Sequence, residues 1–370
     1  MKSLYIHIPF CKQKCLYCDF NSYSGKENLI EEYIIALKKE IQSYNFSANN
    51  EEYKTIYFGG GTPSILPPKY IKEIMDEVKC DGEVTLELNP GTIDEEKLKV
   101  YKESGINRLS IGLQASQNGI LKEIGRIHTL EEFEQAFKMA RKAGFDNINV
   151  DLMFGLPNQT LKDVEETLNY LIKINPEHIS CYSLILHNEI FRNLPSDEEE
   201  REMYYLIKKK LKEAGYEHYE ISNFAKVGRE SKHNLCYWNQ GEYAGVGAGA
   251  SSYIGGKRYT NELSIEKYIS KINLNKQWYT IEEIQDRESK MREYMILRLR
   301  LLKGIDVARA YEKFGIDMCE KFKKEINTMV KKGLLEIVCT TPKENFEEKY
   351  IRLTKKGLDF ANIVWEEFVW

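Results

Sequence analysis

The sequence contains no apolar run approaching the roughly 20 residues that span a bilayer, so any association with a membrane is expected to be peripheral. Charge of one sign does not dominate either. The 53 Lys and Arg stand against 57 Asp and Glu, a formal net charge of −4, which argues against a chain-wide nucleic-acid footprint. A secretory leader is not expected, because Cys11 arrives too early for a signal peptide to precede it. Eight cysteines without a leader fit a reducing compartment, with the cytoplasm as the expected location. What remains is ordinary: 370 residues with 42% hydrophobic side chains bury a sizeable core, as one large domain and a small one.

Three of the cysteines fall within eight residues, Cys11-Lys-Gln-Lys-Cys15-Leu-Tyr-Cys18. Three thiolates do not close a four-iron cubane. They leave one iron with an open site, where a small chelating molecule binds and is reduced. A structural zinc ion would need a fourth ligand; His7 and Cys80 are candidates, but neither belongs to a second ligand pair at finger spacing. Three unrelated buried thiols are the other plain reading. The C-x3-C-x2-C spacing favours the open cluster.

Short β-branched runs at residues 4–8, 55–58, 84–88, 108–111, 147–152 and 179–184 alternate with helical spacing at 29–44, 69–78, 95–104, 130–143 and 161–174. Repeated βα units of this kind predict a parallel sheet. Six of them close only part of an eight-stranded barrel and leave a lateral opening, with the chemistry on loops after the strand C-termini. Beyond Ser222 the pattern changes to His233-Asn-Leu-Cys-Tyr-Trp238 and then Gly245-Val-Gly-Ala-Gly-Ala-Ser-Ser-Tyr253, which is not a regular βα unit. Helical spacing at 293–302, 307–314 and 318–332 precedes strands at 335–338 and 350–353, the pattern of a winged helix. The expected division is a barrel over 1–225, a connecting segment over 226–282 and a winged-helix-like module over 283–370. That module holds 18 Lys and Arg against 16 Asp and Glu, so Lys321, Lys323, Lys324, Lys331 and Lys332 read as a solvated face rather than a nucleic-acid surface.

Gly59-Gly-Gly-Thr-Pro-Ser64 follows the second strand directly. Consecutive glycines let the backbone approach a ligand and offer N–H groups to a carboxylate, although a plain tight turn has the same composition. Glu87, Gln114 and Asp151 fall at the ends of the third, fourth and fifth strands, and Arg126 lies in Gly125-Arg-Ile-His128. Taken singly, a loop arginine is a surface charge and a strand-end Asp caps the next helix.

The flanks of the cysteine loop, Tyr5-Ile-His-Ile-Pro-Phe-Cys11 and Cys18-Asp-Phe-Asn-Ser-Tyr23, resemble radical S-adenosylmethionine (SAM) proteins of the oxygen-independent coproporphyrinogen III oxidase group. The resemblance runs from Tyr5 into the C-terminal module and is strongest to the heme chaperones of that group. It implies an α/β fold, an incomplete parallel (β/α)6 barrel with a winged-helix-like module serving as cover or docking domain. It implies a [4Fe-4S] cluster on Cys11, Cys15 and Cys18, with Gly60, Gly61 and Thr62 lining the SAM pocket and Tyr5 packed beside cluster-bound SAM. Glu87 would accept hydrogen bonds from the methionyl amine or ribose, Gln114 would join the pocket, Arg126 would grip a carboxylate and Asp151 would hold ribose hydroxyls. The implied reaction is reductive cleavage of SAM, with the difficult chemistry carried by the cofactors.

Two functions share this scaffold. The oxidase reading, oxidative decarboxylation of coproporphyrinogen III, predicts a further cysteine two residues after the third and an extension before the first strand. Position 20 is Phe20, and the sequence begins almost at the strand. The chaperone reading draws on His233, Asn234, Tyr237 and Trp238, which match that group's H-N-x-x-Y-W pattern. An imidazole ligates heme iron and aromatics stack on the macrocycle, with Cys236 as a second candidate ligand. Without the resemblance, such a histidine is a structural hydrogen-bonding group. The sequence has no C-x-x-C-H attachment motif. The chaperone reading is preferred, with heme as cargo and a heme-acceptor protein, such as a respiratory enzyme at the membrane, as partner. Radical modification of RNA fits the cluster but lacks a basic domain.

Overall fold

A computed structural model describes residues 3–44, 52–185, 190–340 and 348–369. The chain opens with β1 (Ser3–Ile8), followed by the two-residue strands β2 (Phe10–Cys11) and β3 (Tyr23–Ser24), which pair with each other. Then come β4 (Tyr53–Gly60), β5 (Cys80–Leu88), β6 (Arg108–Gln114), β7 (Ile148–Phe154) and β8 (His178–Ser183). Helices Ile30–Ser43, Pro68–Met75, Glu95–Glu103, Leu130–Lys142 and Leu161–Ile174 separate them as expected. Their starts are written locally: Asp94, Thr129 and Thr160 each accept an N–H of the first turn, and the two threonines form full capping boxes.

The sheet departs from expectation at both edges. β9 (Glu217–Glu220) and β10 (Asn223–Ala225) add an antiparallel edge beside β8. On the other side β11 (Tyr243–Val246) lies parallel to β1, and β12 (Ser251–Ile254), β13 (Lys257–Asn261) and β14 (Tyr279–Ile284) continue antiparallel. The order is β14-β13-β12-β11-β1-β4-β5-β6-β7-β8-β10-β9. Residues 226–282 are therefore sheet and barrel wall, not a connecting segment, and the parallel run has seven strands instead of six. The ends β9 and β14 do not meet, so the barrel is open. A helix over Asp197–Glu213 also escaped the sequence reading, although Ser196 and Glu199 form its capping box and Met203, Ile207 and Leu211 its buried stripe.

The C-terminal part has a separate core and a small sheet of β15 (Ile305–Asp306), β16 (Leu335–Thr340) and β17 (Glu348–Leu353), ordered β15-β17-β16. Its first helix is Arg287–Arg298, and the helix expected over 318–332 is broken at Phe322 into Met318–Lys321 and Lys323–Lys331. Backbone hydrogen bonds fasten this part to the barrel edge: Ile221 N–H to the Arg300 carbonyl at 3.2 Å and Leu302 N–H to the Tyr219 carbonyl at 3.1 Å. Among the described residues no helix is long and apolar enough to cross a membrane.

The added strands are tied to the first helix by one carboxylate. Glu40 is fully buried and accepts from Gly247 N–H (2.7 Å), Asn261 Nδ2 (2.7 Å), Trp278 Nε1 (2.9 Å) and the Tyr268 hydroxyl. Burial pushes its carboxyl above the usual range, and these donors pull it back. Replacing Glu40 by Ala strands four donors, three of them buried, so we expect a loss of about 3 kcal/mol or more in urea denaturation. Glu40→Gln, which keeps an acceptor, should lose less.

Candidate functional site

The parallel pairing brings the exits of β1, β4, β5, β6 and β7 to one end of the barrel, where the cysteine loop lies. The loop is clamped at its base by Tyr23 N–H to the Pro9 carbonyl (2.8 Å) and turned by Cys18 N–H to the Cys15 carbonyl (3.1 Å). Leu16 N–H reaches the Ile124 carbonyl at 3.2 Å. Close approach there requires Gly125, at φ 77°, since a Cβ would come within 3.3 Å of Leu16 N. The three thiols have different neighbours: Thr62 Oγ1 donates to Cys11 Sγ (3.5 Å), Arg126 Nη1 to Cys15 Sγ (3.6 Å), and Ser22 Oγ lies 3.9 Å from Cys18 Sγ. Burial pushes the Cys11 thiol up, opposed by its Thr62 and Ser22 hydrogen bonds.

All three cysteines line one cavity of about 460 Å³, together with Gly60, Gly61, Thr62, Glu87, Gln114, Arg126 and Asp151. The structure thus gathers every residue expected in the SAM pocket except Tyr5. The glycines act differently from expectation. Gly61 and Thr62 N–H donate to the Ile8 and Phe10 carbonyls, both at 2.8 Å, and Gly60 N–H donates to Glu87. These N–H groups are therefore committed to the protein. A Cβ on Gly60 would come within 2.4 Å of the His7 ring and one on Gly61 within 2.7 Å of the Phe10 carbonyl, so the glycines let β4 cross tightly beneath the cysteine loop.

The cavity floor is polar because alternate residues of the barrel strands point inward. Glu87 accepts from the Tyr57 hydroxyl at 2.8 Å, and Asp151 accepts from Asn149 Nδ2 at 2.7 Å. Arg126 is half-buried in the cavity wall rather than a free surface charge: Nη2 donates to the Gly112 carbonyl at 3.0 Å, while Nε is buried with no partner. Gln114 closes β6 at φ 73°. Sequence reasoning missed Tyr57, Asn149, Ser180 and Arg108, which is 2% exposed, lines the cavity, and makes a long hydrogen bond to Thr85 Oγ1 at 3.5 Å. Period-two alternation of polar residues along strands written as core was the signal that would have found them.

Tyr5 lines a neighbouring cavity; its hydroxyl bonds His7 Nδ1 (3.0 Å), its ring stacks on Tyr57, and both rings lie against Gly59 beside Glu87. His233 presents no free nitrogen: Nδ1 lies 2.8 Å from Thr55 Oγ1, Nε2 lies 2.7 Å from the Tyr237 hydroxyl, and the ring is 1% exposed. Burial lowers its pKa to about 3, so it is neutral. The H-N-x-x-Y-W segment forms the helix Lys232–Trp238, whose first N–H groups bond Glu83. Asn234 lines the cysteine-bearing cavity, Tyr237 and Trp238 line the neighbouring one, and Cys236 is buried against the Glu242 carbonyl. The zinc alternatives also fail as ligands: His7 Nε2 is taken by the Asn21 carbonyl (2.8 Å), and Cys80 stands at the opposite end of β5 from Glu87. A cubane suits the thiol set, because each thiolate takes its own iron; among the described residues no three His, Cys, Asp or Glu side chains converge as one ion would require.

A partial parallel barrel with three loop cysteines opening onto a polar cavity defines a radical SAM protein, and the family comparison agrees: residues 5–171 match the Radical SAM superfamily and residues 285–360 the HemN C-terminal domain. The chain is 39% identical over 385 aligned positions to the heme chaperone HemW of Bacillus subtilis, covering 100% of this chain and 99% of that one. It is 40% identical to HemW of Escherichia coli over 260 positions, 67% of this chain and 69% of the relative. The chain belongs to the HemW family. In fold it is similar to the solved radical SAM enzyme coproporphyrinogen III oxidase of Escherichia coli, with a TM-score of 0.85 over 99% of this chain and 89% of that one at 23% identity.

Burial pushes the Glu87 carboxyl up to about 7, with Tyr57 opposing and the Asp151 charge adding to the rise. Because this folded value exceeds the ordinary carboxylate value, the native state keeps a proton that the unfolded chain loses, and stability falls as pH rises from about 4.5 to 7. Glu87→Gln should remove that slope. Without SAM, the variant is expected to be more stable than the parent by up to about 3 kcal/mol at about pH 8 and equal to it near pH 4, read by urea denaturation, while binding SAM more weakly.

Proposed function

We propose that this protein is a heme chaperone that binds heme, holds SAM on a [4Fe-4S] cluster and hands heme to an acceptor protein. The observation that carries the cofactor part is the shared cavity: three thiols, Glu87, Gln114, Arg126 and Asp151 open onto one volume of about 460 Å³. The heme part is supported by 39% identity over the full chain to a heme chaperone. Cys11, Cys15 and Cys18 would ligate three irons. When bound, the cluster supplies an electron to the SAM sulfonium.

The protein's own residues do the rest. Glu87 and Asp151 offer acceptors to amine and ribose hydroxyls. Arg126, whose Nη1 donates to Cys15 Sγ and whose Nε has no partner, would offer a donor to a carboxylate of SAM. The tyrosines and the buried floor exclude water. We place the protein in the cytoplasm, with peripheral contact to a membrane where the acceptor is a respiratory enzyme. Coproporphyrinogen oxidation shares the fold, but likeness at 23% identity speaks for architecture alone, and Phe20 stands where that reading expects a cysteine.

With the cluster reconstituted without oxygen, we expect saturable, stoichiometric binding in a heme titration. We expect no decarboxylated product from coproporphyrinogen III with SAM and reductant. Product formation without tight heme binding would make the protein a tetrapyrrole oxidase instead.

A further inference from the structure

The floor of the cysteine-bearing cavity holds a positive charge. Arg108 opens β6, is 2% exposed and lines that cavity. Its hydrogen bond from Nη1 to Thr85 Oγ1 is long, at 3.5 Å, its Nε is buried without a partner, and among the described residues it makes no ion pair. A buried guanidinium left in this state costs stability unless another group makes use of its charge.

Strand register shows which groups those are. β6 runs between β5 and β7, with Ser110 opposite Glu87 and Gly112 opposite Asp151. Arg108, Ser110 and Gly112 are alternate residues, so they share the inward face. The two carboxylates therefore flank β6 on either side, opposite positions further along the strand from Arg108, and all three side chains line one cavity. With no ion pair formed, the guanidinium acts on them through its field.

Burial raises both carboxyls, Glu87 to about 7, and the Arg108 charge opposes the rise at each. The Tyr57 hydroxyl also opposes it at Glu87, and Asn149, Ser180 and Arg126 do so at Asp151. The other titratable groups facing this floor keep one protonation state through the neutral range: burial pushes His178 and His233 down and Tyr57, Tyr182 and Tyr219 up. Glu83 is taken by the N–H groups of Lys232 and His233, and Glu220 pairs with Arg300 at 3.6 Å. Glu87 and Asp151 are the pair that the Arg108 charge governs.

We propose that Arg108 is a positioning residue of the SAM site, a fixed positive charge that keeps Glu87 and Asp151 as acceptors for the amine and ribose hydroxyls of bound SAM. The inference rests on the SAM reading of this cavity. A protonated carboxyl turns an acceptor into a donor and loses its attraction for an ammonium group. Without the guanidinium, burial prevails at both sites.

The test is SAM binding by anaerobic equilibrium dialysis from about pH 6 to about pH 9, using the full-length, cluster-loaded protein, the charge-free variants Arg108→Met and Arg108→Gln, and Arg108→Lys. The charge-free variants should bind SAM about tenfold more weakly near pH 7 and regain the parent's affinity by about pH 9, where their carboxyls ionise. Arg108→Lys should follow the parent, and cluster absorption should be unchanged in all. Weakening by one factor at every pH, no weakening, or a lysine variant that behaves like the charge-free ones would overturn the proposal. Melting curves without SAM separate it from the cofactor reading. Carboxyls raised above their unfolded values lose stability as pH climbs to the folded pKa, so the fall in melting temperature should continue to higher pH in the charge-free variants than in the parent. If the parent binds no SAM, a fall that still shifts overturns the SAM reading and leaves the role of the charge; a fall that does not shift overturns both.

Discussion

Two backbone hydrogen bonds, Gly61 N–H to the Ile8 carbonyl and Thr62 N–H to the Phe10 carbonyl, fasten the cysteine loop to the glycine turn, and the cysteine-lined cavity is built around that joint. They extend the parallel β1–β4 ladder past the sheet, so the loop emerging from β1 is held over the ends of its neighbours. Only glycine fits where the turn passes His7 and the loop carbonyls. The same joint sets Thr62 beside Cys11, and the loop's far side rests on Gly125 and Arg126. The three cysteines and the cavity walls are thus positioned by one network, and a disturbance of the turn should be felt at the thiols.

Beneath that joint the barrel interior is unusually polar for a buried space. Glu87, Asp151, Arg108 and His178 are withdrawn from water, and burial raises the two carboxyls and lowers the histidine. Such groups cost stability unless hydrogen-bonded or met by a ligand. Most are bonded to one another: His178 between Asn149 and Tyr219, His233 between Thr55 and Tyr237. Arg126 Nε and Arg108 Nε, buried without a partner, belong to residues that line the cysteine-bearing cavity.

Much of this was legible in the sequence, for identifiable reasons. The cysteines, Glu87, Gln114, Arg126 and Asp151 lie in or just after strands whose βα rhythm is local, so their convergence follows from parallel topology. The fate of His233 was not legible, because its partners Thr55 and Glu83 are 178 and 150 residues away. β11–β14 were missed for the same reason: their sheet membership is decided by the β1–β11 pairing, not by any signal within a short Gly- and aromatic-rich stretch. The helix expected over 318–332 breaks where Phe322 turns into the core against Phe368, a tertiary contact that overrides helical spacing.

Everything proposed for this site requires Cys11, Cys15 and Cys18 to hold a cluster with one open iron for SAM. The most direct measurement is the EPR spectrum of the reduced, reconstituted protein with and without SAM. A [4Fe-4S] signal that shifts when SAM is added, and that is lost in Cys15→Ala, is the predicted result. A cluster signal indifferent to SAM, or a protein that takes up stoichiometric zinc and no cluster, would contradict it.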